Sequence, residues 1–235
     1  MEPRYRYDDP RAFPLEQVAP AVSRSLVATT LGLLAFSFVF SVIGGVVGLA
    51  LAGAGVVGLP FFIILAIGQI ALIFALRPVA ARSASLGLLL LYSFTFLSGM
   101  SLGPVIGAYA VAAPGVLGQA LLLTAIITAG LTIYGWVSEV SLARFGTWLL
   151  IGLLTLIGGS IVAIFVRATW LEILLGGGGA VLFSLFLVYD IQRLKQMPAE
   201  FANAVVMAAA VYLDIVNLFL SLLRLLGALS GSNRD

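Results

Sequence analysis

The chain reads as a series of long apolar runs cut by short polar or turn-forming breaks. Seven runs stand out, at about 25–52, 57–76, 84–111, 116–137, 146–166, 170–190 and 201–229. Each has about the 20 apolar residues needed to cross a bilayer's hydrocarbon core. A lone segment in lipid must satisfy its own backbone hydrogen bonds, so the runs are predicted to be helices. Barrel strands would be about half as long and would alternate in polarity. The breaks, such as "GAGVVG", "RPVAARS", "AAPG" and "QRLKQMPAE", leave no room for a second domain. The pattern predicts an all-α integral membrane protein, with a polar N-terminal tail at 1–24, a membrane domain at 25–229 and a short tail at 230–235.

Composition supports that reading. Hydrophobic residues make up 62% of the 235 positions and charged residues 9%, with a mean hydropathy of +1.17. A soluble domain carries about 25% charged residues, and so few charges could not cover its surface. There is no Cys and no His, which removes thiol chemistry, the commonest transition-metal ligand and the usual switch near neutral pH. A net charge of +2 does not suggest nucleic acid as a partner. The first apolar run follows about two dozen mostly polar residues and exceeds a signal peptide's apolar region of roughly 7–15, so it is expected to stay as an anchor.

Lys and Arg set the expected orientation. The tail and the loops on its side hold Arg4, Arg6, Arg11, Arg24, Arg77, Arg82, Arg144, Arg193 and Lys195, whereas the other side holds Arg167 and Arg234. By the positive-inside rule the N-terminus is cytoplasmic and the protein sits in the cell inner (plasma) membrane. Gly44 and Gly48 in the first run, and Gly99, Gly103 and Gly107 in the third, recur at the spacing that lets helix backbones approach closely. Tight packing is the plain reading of these stripes and of "GGGG" at 176–179; a hinge beside a permeation path is the sharper one.

The informative residues are the carboxylates. Asp214 lies within "VYLDIVNLFLSLLRLLG", with no Lys or Arg within nine residues. Asp at a helix centre in lipid costs about 2.5–3.5 kcal/mol on insertion scales, so Asp214 should face the bundle interior or water. Asn217, three positions on, shares its helix face. Asp190, where the sixth run ends, reads alone as a helix-end residue, and Glu172 and Arg167 read as solvated ends. Runs six and seven form a hairpin, however. A turn centred on Ala202 would bring Asp190 and Asp214 to one depth, whereas a turn near Met197 and Pro198 would leave Asp214 deeper by roughly 13 Å. Two carboxyl groups in contact at low dielectric would share a proton and titrate as a coupled pair. Arg77, with Pro78 marking an expected helix end, and Arg82 are both candidates to pair with them; a purely structural ion pair is the bland alternative.

"VYDIQRLK" followed by "YLDIVNLFLSLLRLLG", with "YSFTFLSGMSLGPVI" in the third run, resembles the Bax inhibitor family of transmembrane proteins. The resemblance implies a seven-helix bundle with the last helix at its centre. It also implies a pH-sensitive calcium leak in which Asp190 and Asp214 form the pH sensor and an Arg latches the closed state. Helix context favours Arg77 for the latch, and spacing from Tyr92 favours Arg82. Gln69 stands where some relatives carry an acidic residue.

The expected function is therefore a passive, pH-gated cation leak. Calcium, which prefers oxygen ligands, would be carried and bound by Asp190 and Asp214, with Asn217 in support and no other cofactor. The bilayer, calcium ions and protons are the expected partners. A proton-coupled transporter is one alternative, since intramembrane carboxylates also mark proton relays. Another is a membrane interaction protein that modulates a protease or stress pathway through a membrane protein partner. No enzymatic activity is expected: Tyr189–Asp190 matches half of an intramembrane aspartyl protease pattern, but no Gly precedes Asp214.

Overall fold

The computed structural model describes the backbone of residues 15–166 and 168–232 and the side chains of 26–166 and 168–231. Residues 1–14, which make up most of the expected N-terminal tail, lie outside it, as do Arg167 and Arg234. Seven α-helices follow in order: α1 Leu15–Gly53, α2 Leu59–Ala80, α3 Ala84–Ala112, α4 Pro114–Val137, α5 Gly146–Phe165, α6 Thr169–Gln196 and α7 Phe201–Ser232. A single 3-10 turn, Ala143–Phe145, precedes α5. No strand occurs among the described residues, and all seven helices are long and apolar enough to cross a membrane. The chain is a multi-pass membrane protein. The membrane face with the α6–α7 loop is called the hairpin face below, and the other, where α7 ends, the C-terminal face.

Two boundaries differ from the hydropathy breaks, each for a packing reason. Pro78 does not end α2, which runs on to Ala80. There Leu76 and Ala80 are buried, and a methyl group on Gly87 would lie 2.7 Å from the Ala80 Cβ, so only glycine admits that contact. The second difference matters more. The sixth apolar run stops near residue 190, but α6 continues through Gln196. Its last turns are amphipathic: Ile191 and Leu194 are buried, and the polar groups beside them are held by the end of α4 and the connection after it. Gln192 accepts a hydrogen bond from Leu142 N–H (2.8 Å) and donates one to the Val140 carbonyl (2.8 Å). Lys195 donates to the Trp136 carbonyl (2.6 Å) and lies over the Trp136 ring. Asp190 is thus well inside a helix and not at its end.

The glycine stripes lock helices together. Methyl groups on Gly44, Gly48, Gly99 or Gly103 would overlap backbone atoms of Phe96, Met100, Ser41 and Gly45 respectively, so α1 and α3 touch backbone to backbone. In "GGGG", Gly176 and Gly179 do the same work against α7, at the Leu225 backbone and the Ser221 hydroxyl, while Gly178 faces open space.

α7 occupies the centre and contacts α1, α2, α3, α4 and α6. Two-thirds of its apolar window (67%) is buried in protein, against 11% for α2 and α5. At 32 residues it is about 48 Å long, more than enough to cross a core of about 30 Å without re-entry. Its Tyr212, fully buried, packs on Phe38 and Phe94 and shares a 2.8 Å hydrogen bond with the Ser41 hydroxyl of α1. The outer helices turn large apolar side chains outward, among them Phe36, Ile64, Phe74 and Leu154. In water these would be a liability, whereas in lipid they are the expected surface. Trp148 and Trp170, near helix ends and exposed, occupy the levels where aromatic rings favour the membrane interface.

Candidate functional site

The α6–α7 hairpin builds the site. Asp190 lies six residues before Gln196, and Asp214 lies thirteen after Phe201. Helical rise alone would therefore separate them by about 10 Å in depth. The connection at 197–200 absorbs the difference. Met197 leaves α6 in an extended conformation (φ −78°, ψ 147°), and a turn in which Glu200 N–H donates to the Pro198 carbonyl (2.8 Å) leads into α7. Asn203 secures the new start, its side-chain amide donating to the Pro198 carbonyl at 3.0 Å. With α7 begun beyond the end of α6, the carboxyls of Asp190 and Asp214 come within side-chain hydrogen-bonding reach of each other. The sequence left their relative depth open between two turn positions; in the fold the two carboxyls meet.

Both aspartates are only 6% exposed. Asp214 Oδ2 is wholly buried and accepts no hydrogen bond from any donor among the described residues. An ionised carboxylate has only acceptors, so two of them face to face cannot satisfy each other. One proton held on either carboxyl supplies the missing donor and makes the contact attractive. The arrangement is thus a pair of buried carboxyls on adjacent helices whose ionisation is coupled by their contact.

The other residues named from sequence are not gathered here. Arg77 and Arg82 are exposed, and neither makes an ion pair among the described residues. Arg193 is the cation whose charge reaches Asp190. It sits three residues along the same helix, a spacing that places side chains on one face, and this signal becomes usable once α6 is known to continue. Asn217 does not bond to Asp214; its side chain lines a groove between α5, α6 and α7. Gln69 donates to the Ser101 hydroxyl (3.1 Å) and to the Leu65 carbonyl (3.2 Å), tying α2 to α3. Among the described residues, no group of three or more acidic side chains gathers to hold a metal.

A second charged cluster occupies the same two helices nearer the C-terminal face. Arg224 of α7 pairs through Nε with Glu172 of α6, and its Nη1 donates to the Ser160 hydroxyl of α5 at 3.1 Å. The pair is partly exposed, Arg224 27% and Glu172 35%. From sequence Glu172 reads as a solvated end; its pairing with Arg224 across 52 positions leaves no local pattern.

Comparison with known proteins places these features in context. A family described as "Inhibitor of apoptosis-promoting Bax1" matches residues 23–231. An uncharacterized protein of Campylobacter jejuni is 32% identical over 225 residues, covering 94% of this chain and 96% of that protein. An uncharacterized membrane protein of Vibrio cholerae is 30% identical over 213 residues, with 90% and 92% covered. Protein lifeguard 4 of Mus musculus is 33% identical over 170 residues, with 72% and 68% covered.

Proposed function

The chain belongs to the Bax inhibitor family, and from that premise we propose that it is a pH-sensitive passive cation leak, with calcium as its ion and Asp190 and Asp214 as its sensor. The observation that carries this reading is the contact of two carboxyl groups inside the bundle, one oxygen of which has no donor among the described residues. Two carboxyls in contact lose their protons in two coupled steps. Each step changes the charge of the pair by one, and with it the attraction for a cation. Calcium takes six to eight oxygen ligands; a pair of carboxyls offers too few to trap it, which suits an ion in passage. The N-terminus is placed in the cytoplasm of a plasma-membrane protein, on the distribution of Lys and Arg.

The test is calcium flux into dye-loaded proteoliposomes from about pH 6 to about pH 8, a range that spans a coupled titration near neutrality. The wild-type flux is expected to change with pH and that of Asp214→Asn to be flat. Indistinguishable fluxes at every pH would remove the pair from the mechanism. The same vesicles separate a leak from a proton-coupled carrier, because a leak never moves calcium uphill under a proton gradient.

A further inference from the structure

Among the helices, α5 approaches α6 but not α7, and the space so left is a groove of about 460 Å³ between the three. It runs from mid-bundle toward the C-terminal face, from the level of Leu153 to that of Ile164, about 16 Å at 1.5 Å per residue. Its walls are largely aliphatic, yet Asn217, Ser160, Ser221 and Arg224 all line it. Ser221 spends its hydroxyl on the Asn217 backbone carbonyl at 2.7 Å. The Asn217 side-chain amide bonds to no described protein group and is partly exposed in the groove.

An amide with two donors and an acceptor cannot be left against acyl chains without a large penalty. Polar groups at membrane depth face either the bundle interior or a water-filled cavity, and the Asn217 amide opens into this groove. The inner end of the groove is also one helical turn from Asp214, since Asn217 is three residues on. At its mouth, Arg224 joins α7 to both α6 and α5 through Glu172 and Ser160. We propose that this groove is a water-filled route by which the permeating cation passes between the C-terminal face and the aspartate pair, with Asn217 coordinating the ion or its water at the inner end and the Arg224–Glu172 pair framing the mouth. The proposal rests on the leak reading above and names the side of the bundle that the leak uses.

The natural absence of Cys makes single-cysteine labelling clean. Trimethylammonioethyl methanethiosulfonate, a water-soluble impermeant cation, is applied separately to each face of vesicles carrying Asn217→Cys or Ser160→Cys. Leu154→Cys and Val181→Cys, at exposed apolar positions on α5 and α6, serve as lipid-facing controls. The cysteine thiolate attacks the reagent's sulfur, forming a mixed disulfide and releasing methanesulfinate; the thiolate forms in water and not in hydrocarbon, so the groove cysteines should react at least about tenfold faster than the controls, from the C-terminal face. Labelling Asn217→Cys should also remove most of the calcium flux. Groove cysteines as slow as the controls would mean that acyl chains fill the space, and the proposal would fall. Fast labelling that leaves an existing flux unchanged would equally overturn the groove as the route. Reactive groove cysteines in a protein that carries no flux even unlabelled would instead support the wet groove and sink the leak.

Discussion

The hairpin of α6 and α7 carries two charged clusters built on opposite rules. Nearer the hairpin face, two acids meet at 6% exposure with no donor among the described residues for Asp214 Oδ2. Nearer the C-terminal face, an acid meets a base, each about a third exposed, and a serine completes the base. The second arrangement is self-sufficient: opposite charges neutralise each other and water screens the remainder, so the pair contributes little beyond a tie between helices. The first is unfinished by design of its surroundings. Two carboxylates in contact repel each other, and a proton shared between them relieves that repulsion, which is the basis of the sensing role proposed above. Burial and sign of charge, and not the number of charged residues, distinguish a sensor from a strut.

Making the clusters alike should have the largest effect. Asp214→Lys would give the buried site its own fixed cation. A positive charge about 5 Å from a divalent ion costs several kcal/mol even at an effective dielectric of 20, so calcium flux should fall at least about a hundredfold at all pH. Flux within a few-fold of wild type would show that ions do not pass the pair. A smaller effect comes from spreading the hairpin that holds both clusters. A side chain on Gly176 meets the Leu225 backbone at 2.7 Å, and such overpacking costs about 1–3 kcal/mol. Gly176→Val should therefore lower the thermal unfolding midpoint in detergent and broaden the pH response; an unchanged midpoint would deny the close approach. The smallest change is expected from Glu172→Gln. Because the pair is partly exposed and Arg224 keeps Ser160, the loss should stay below about 1 kcal/mol in the same unfolding measurement. A loss of several kcal/mol would mean that this cluster, too, is effectively buried.

Much of this was legible in the sequence because lipid imposes simple rules. Seven runs long enough to cross, each obliged to be helical, gave the element count, and glycines four apart marked close packing, which the fold places between α1 and α3. Asp214 stood out because nothing near it could justify a carboxylate. Asp190 was harder to read. Hydropathy ends the sixth run there, and the continuation of α6 depends on Gln192 and Lys195 meeting backbone carbonyls at the end of α4 and in the loop after it, more than fifty positions away. The pairing of Arg224 with Glu172 was hidden for the same reason. Arg77 and Arg82 had the right charge and membrane face, but neither pairs with the aspartates, and Arg193 on α6 itself is nearer to Asp190 in effect.

The central claim is that the two carboxyls titrate as one unit. Infrared difference spectroscopy of their carboxyl stretch, followed through a pH titration of wild type, Asp190→Asn and Asp214→Asn, tests it most directly. The wild type should protonate in two separated steps, and each single variant in one step that coincides with neither. A remaining carboxyl that titrates as it did in the intact protein would contradict the account.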